Sequence, residues 1–143
     1  MAKPRAVGIN HVALGVDDLQ VALAFWRSLF DLDVDLSEPG MAFLDLGDQF
    51  IALAERESSE AEPHFGLVVD DKEAARRALE DAGAAIEPGH RLNVRDPFGN
   101  LIQVVQYDQI QFTKAPEVLR AMALELTKRA EALEELRAKG VDV

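Results

Sequence analysis

"INHVALGVDD" spans residues 9–18 and "PHFGLVVDD" spans residues 63–71. At an offset of 53, His11, Leu14, Val16, Asp17 and Asp18 fall on His64, Leu67, Val69, Asp70 and Asp71. Each stretch is an apolar, strand-like run ending in paired aspartates, which are good helix caps. After the first run, Leu19, Leu23, Trp26 and Phe30 recur at three- and four-residue steps and predict a helix to about Phe30, with Trp26 as a core anchor. "DLDVDLS" then alternates, placing Leu32, Val34 and Leu36 on one strand face. "EPG" is a turn, and "MAFLDLGDQFIALAE" is a hairpin bending at Gly47-Asp48. The order restarts after residue 63. "DDKEAARRALEDAG" is a capped helix ended by Gly83, "AAIEP" a short strand, and "RLNVRDPFGNLIQVVQY" a hairpin bending at "DPFGN". There "QFIAL" falls on "NLIQV" at an offset of 51, a slip of only two residues. Two copies of one βαβββ module explain the pattern.

The 143 residues are 48% hydrophobic, enough to bury a core. Twenty-six acidic residues against 15 basic ones give a net charge of −11, which argues against binding nucleic acid or an anionic membrane surface. The absence of cysteine excludes disulfides, thiolate nucleophiles and Cys-ligated zinc. "MAKPRAVG" is not followed by a signal-peptide core, and no run approaches the length of a membrane span. A soluble, cytoplasmic protein is expected. The tail "APEVLRAMALELTKRAEALEELRAKG" predicts one amphipathic helix from Pro116 to Gly140, packed on its own domain or on a neighbouring subunit.

Alternation sorts the strand side chains. Val12, Leu14 and Val16 form an aliphatic face expected under the helix, and His11, Ala13 and Gly15 face the other way. Likewise Phe65, Leu67 and Val69 oppose His64, Gly66 and Val68. The histidine face gathers Gln103, Phe50, Ala52 and Leu101, joined by Phe43, Arg91, Asn93 and Arg95. A mostly apolar lining with a few placed polar groups suits a ligand pocket. Arg91 and Arg95 are candidates to clamp an anionic group, or to form ordinary ion pairs, such as Arg95 with Asp96. His90, in "EPGHR", reads as a solvated loop residue.

"NHVALGVDDL", "HFGLVVDD" and above all "DPFGNLIQVVQ" resemble the vicinal oxygen chelate superfamily over residues 7–107. That superfamily includes glyoxalase I, bleomycin- and fosfomycin-resistance proteins, methylmalonyl-CoA epimerase and extradiol dioxygenases. The resemblance implies an α+β fold: two tandem βαβββ modules, about 7–57 and 62–108, forming a curved mixed sheet around a cavity. This domain covers residues 1–112, and 113–143 form the C-terminal amphipathic helix. The resemblance also implies metal positions at His11, Ala52, His64 and Gln103. The two histidines match. Ala52 has no donor, and Gln103 stands where the family carries a carboxylate. An amide is no general base, so standard glyoxalase I or epimerase chemistry is not expected.

Three functions follow as expectations. The first is a metal-free protein binding a small organic molecule in the sheet cavity. The second is a divergent metal enzyme, dioxygenase-like or lyase- or transferase-like, holding one divalent ion (Fe, Mn, Ni or Zn) on His11, His64 and Gln103. The third is an oligomeric interaction module built on the tail. A homodimer is expected in each case.

Overall fold

The computed structural model describes residues 3–59 and 61–143. Eight strands form one mixed sheet: β1 (Ala6–Val16), β2 (Asp33–Asp35), β3 (Met41–Asp45), β4 (Phe50–Glu55), β5 (His64–Val69), β6 (Ala85–Ile86), β7 (Leu92–Arg95) and β8 (Leu101–Gln106). Their spatial order is β2-β3-β4-β1-β5-β8-β7-β6. In the first module β1 pairs parallel with β4, and in the second β5 pairs parallel with β8. The modules meet where β1 and β5 run antiparallel at the centre of the sheet.

Helices α1 (Leu19–Leu29) and α2 (Lys72–Asp81) lie at equivalent places in the two modules. Both start as the repeat predicts. The Asp18 side chain accepts from the Val21 N–H, and the Asp71 side chain accepts from the Ala74 N–H. Under α1, Leu19 and Leu23 bury against Ala42, Leu44 and Leu53, with Trp26 at the margin as an anchor. Ala75 of α2 buries against Val69, Leu92, Val94 and Val104. Phe30, expected on the inner face of α1, is instead its exposed C-cap.

The aliphatic face of β1 departs from expectation. Val16 packs at the edge of the α1 core, but Val12 and Leu14 remain 40% and 39% exposed. The reason is spacing: α1 sits over β3 and β4 and α2 over β8, so the two central strands lie between the helices.

The tail also differs. The single helix expected over 116–140 is two: α3 (Pro116–Ala121) and α4 (Ala130–Ala138). Ala123 takes a left-handed φ of 56°, which ends α3. Lys128 then turns inward. Its ammonium donates to the carbonyls of Tyr107 (2.5 Å), Ile110 (2.8 Å) and Phe112, and lies 3.5 Å over the Tyr107 ring. Three acceptors and an aromatic face hold this cation in the segment between α3 and α4.

The tail packs on its own domain. Tyr107, Phe112, Leu119 and Leu124 form a core with Val7 and Val68. Val68 shares its strand face with His64 and Gly66, so the tail covers one end of the histidine face. Phe112 rests on Gly8, where a Cβ would stand 2.6 Å from the ring. Among the described residues, no helix is long and apolar enough to cross a membrane.

Candidate functional site

His11 and His64 meet at the centre of the sheet. Their Nε2 atoms are 3.1 Å apart. Each Nδ1 is held from behind by an oxygen: that of His11 lies 2.8 Å from Asn10 Oδ1, and that of His64 lies 2.7 Å from the Glu62 carbonyl. His11 is 6% exposed and stacks on Phe50, with centroids 4.7 Å apart and planes within 1° of parallel. Phe43 meets Phe50 edge-on at 5.8 Å.

Backbone geometry makes this packing possible. In β1 the pairing with β5 shifts between Ile9 and His11, so Asn10 is the extra residue of a β-bulge. The bulge buries Asn10 and His11 together, which simple alternation forbids. Opposite His11 stands Gly66. A Cβ there would lie 2.1 Å from Asn10 Oδ1 and 2.3 Å from His11 Nδ1, so the imidazole occupies the space of the missing side chain.

Beyond Gly66 the row continues to Gln103 on β8 and Asn93 on β7. Ala52 is buried opposite Ala13 and leaves the first module without a donor at that position. Burial pushes the His11 imidazole down to about 4; the neighbouring His64 ring adds to this, the Gln103 amide opposes it, and the Arg91 cation adds a smaller push. The ring is therefore neutral at physiological pH.

Arg95 lies away from the pair, opposite Leu101 at the β7–β8 turn. Its guanidinium is taken by Glu87 (2.6 Å), Glu62 (2.7 Å) and the Gly99 carbonyl (3.1 Å). The neighbouring Asp96, which the sequence offered as its partner, instead closes the turn with Phe98 and Asn100. Arg95 thus braces Glu62, whose carbonyl holds His64. Arg91 and His90 are exposed on the loop before β7.

A cavity of about 510 Å³ opens on the other side of Phe50. One wall is the sheet, with Asn10, Phe43, Phe50 and the β3–β4 turn. The other is the tail, through residues 109–112, Glu135 and Lys139. Lys139 latches α4 to the turn by reaching Asp45 (3.1 Å) and the Gly47 carbonyl (2.8 Å). Phe43 and Phe50 were legible as pocket residues from alternation. Asn10, Asp48 and the tail wall were not, because a bulge and a docked tail leave no periodic signal.

Two βαβββ modules, paired through their first strands around two histidines, point to one superfamily. A family model for the Glyoxalase/Bleomycin resistance protein/Dioxygenase superfamily matches residues 8–104. The chain belongs to that superfamily. A glutathione transferase FosA from Serratia marcescens is 28% identical over 110 residues, covering 67% of this chain and 78% of that protein. Among solved structures, a methylmalonyl-CoA epimerase from Mycobacterium tuberculosis superposes with a TM-score of 0.53 at 20% identity, over 84% of this chain and 96% of that one. A Mn(II)-bound glyoxalase from Novosphingobium aromaticivorans gives 0.57 at 20% identity over 72% of this chain. The match there spans 40% of the longer Novosphingobium chain. These superpositions show a shared superfamily fold. The family match stops before the 3-10 turn at Tyr107, so the tail wall of the cavity lies outside it.

The superfamily implies a divalent metal, and the donor set here can be tested against one. Two nitrogens bound to one ion at about 2.1 Å stand roughly 3–3.4 Å apart for octahedral or tetrahedral angles. The observed 3.1 Å falls in that range. Oxygen acceptors behind both Nδ1 atoms are the arrangement that fixes the tautomer of metal-binding histidines. Gln103 supplies a neutral amide oxygen rather than a carboxylate, and among the described residues no group of three His, Cys, Asp or Glu side chains converges. The histidine pair fits two ligand positions of one ion, and Gln103, next along the row, is the candidate for a third.

Proposed function

We propose that this protein binds a small organic molecule beside a metal centre formed by His11, His64 and Gln103. The observation that carries the reading is the 3.1 Å between two Nε2 atoms whose Nδ1 atoms are both held by oxygens. With a proton on each Nδ1, two lone pairs face one another and call for a cation between them. His11 and His64 would hold the ion by Nε2, and Gln103 by its amide oxygen. Such an ion, when bound, supplies Lewis-acid polarisation of a ligand oxygen. Phe50 fixes the plane of His11, and Arg95 and Glu62 fix His64. Ala52 and Gln103 provide no carboxylate to carry a proton, so the reading favours binding and polarisation over glyoxalase-type proton shuttling.

A metal-free binder is the second reading, favoured by the same missing carboxylates. In it one proton lies between the two Nε2 atoms, and the Asn10 amide is turned to donate to His11. Metal analysis of the untagged protein as purified separates the two. Near-stoichiometric metal that disappears in a His11→Ala, His64→Ala variant supports the first; metal-free protein that also takes up none of Fe(II), Mn(II), Ni(II) or Zn(II) supports the second. Self-association into a homodimer belongs to the proposal, supported by the uncovered Val21, Phe25 and Leu29 on α1 and by Val12 and Leu14 on β1. The acidic composition supports a setting away from nucleic acid, and the absence of cysteine fits a cytoplasmic one.

A further inference from the structure

The tail-walled cavity has a chemistry of its own. Its floor is aromatic, from Phe43 and Phe50. Its rim is acidic: Asp35, Asp45, Asp48 and Glu135 line it against one cation, Lys139. Lys139 is spent on Asp45 and the Gly47 carbonyl. Asp48 accepts from the Thr113 N–H, Glu135 from Gln111 and Asp35 from the Ser37 N–H, so each is oriented by a neutral donor. Lys128, behind Phe112, offsets part of the Asp48 charge but is itself held by three carbonyls.

A second, independent feature is Asn10. It is 7% exposed and lines the same cavity. Its Oδ1 faces His11, and its Nδ2 has no partner among the described residues. A nearly buried amide with a spare donor beside an open cavity calls for an acceptor atom.

We propose that this cavity binds an organic cation: a flat apolar body on Phe43 and Phe50, an ammonium or amidinium group near Asp48 and Glu135, and a hydroxyl, ether or carbonyl oxygen on Asn10. The proposal names the ligand class for the small-molecule site above; its Asn10 contact takes the amide orientation of the first reading, and its contacts to the cation do not require the metal. Glu135 and the 109–112 wall come from the tail, so part of the specificity lies outside the segment matched by the superfamily, while Asn10, Phe43, Asp48 and Phe50 lie within it. Phe50 and Asn10 both touch His11, so the bound ligand adjoins the histidine pair.

The test uses the full-length protein and a matched pair of probes, 5-methoxytryptamine and 5-methoxyindole-3-acetic acid, which share ring and ether and differ in charge. Titration calorimetry, with ligand-observed NMR for weak binding, should show the amine binding at least tenfold tighter than the acid. The Asp48→Asn, Glu135→Gln variant keeps both acceptor oxygens and removes two charges. It should lose at least fivefold in amine affinity with an unchanged melting temperature and unchanged metal uptake. Asn10→Ala should weaken both probes. Equal binding of amine and acid, or an amine affinity untouched by the double variant, overturns the proposal. A His11→Ala, His64→Ala variant that binds the amine but no metal, beside wild type that binds both, upholds both readings. Wild type that binds the amine but no metal overturns only the metal centre.

Discussion

The Nε2 atoms of His11 and His64 stand 3.1 Å apart, although the residues are 53 positions apart in the chain. The pair follows from the repeat. His11 lies inside β1 and His64 begins β5, the first strands of the two modules, and the antiparallel pairing of those strands brings the two rings together.

Gly66 is the space that His11 fills. Gly66→Ala puts a methyl group 2.3 Å from Nδ1, and both His11 and Asn10 must move. Overpacking of this kind costs about 1–3 kcal/mol. Urea denaturation should show that loss, and metal uptake should fall with it. A variant of wild-type stability and wild-type metal uptake would mean the ring is not seated there.

Gln103→Glu restores a charged donor opposite Gly66. A carboxylate adds a negative charge next to the two imidazoles, so affinity for Mn(II) or Zn(II) should rise by tenfold or more in titration calorimetry. No gain would show that the third donor does not reach the histidines.

The His11 proton sets a pH dependence in metal-free protein. The folded ring titrates at about 4 and the unfolded one at about 6.5. Between those values the unfolded chain binds a proton that the folded chain refuses, so stability is full above about 6.5 and declines as pH falls toward 4. The slope is at most about 1.4 kcal/mol per pH unit. Denaturation midpoints at pH 7.5, 6 and 5 should show it, and His11→Gln should flatten the curve. Parallel curves for the two proteins would contradict the burial of a neutral ring.

Lys128 is the pin of the tail. Lys128→Met removes the donor to the Tyr107, Ile110 and Phe112 carbonyls while keeping most of the apolar stem. Buried carbonyls left unpaired should cost about 2–4 kcal/mol and open residues 109–130 to protease. An unchanged digestion pattern and midpoint would show that apolar packing alone holds the tail.

Much of this was legible in the residues. Repetition of "HVALGVDD" in "HFGLVVDD" carries the two modules, both helix caps and the histidine pair, because an offset preserves alternation and capping alike. Gln103 as a candidate third donor comes from the resemblance to the superfamily, since the repeat alone matches it to Ala52, which has no donor. Other features are tertiary. The bulge at Asn10 breaks alternation at the one place where it matters most, and nothing in "GINHV" signals it. The heptad-like seam of the tail reads as one helix, yet Lys128 finds three carbonyls that only the folded 107–112 segment presents, and the helix gives way. Val12 and Leu14 look like core residues, but two short helices cannot cover eight strands.

The central claim is that both Nε2 atoms serve one cation. Long-range proton–nitrogen NMR of the imidazoles reads this directly, before and after one equivalent of Zn(II). The account predicts that Zn(II) converts both rings to the form protonated at Nδ1, with both Nε2 resonances moved to metal-bound positions at a single equivalent. Spectra in which Zn(II) leaves the two rings unchanged, or shifts only one of them, contradict it.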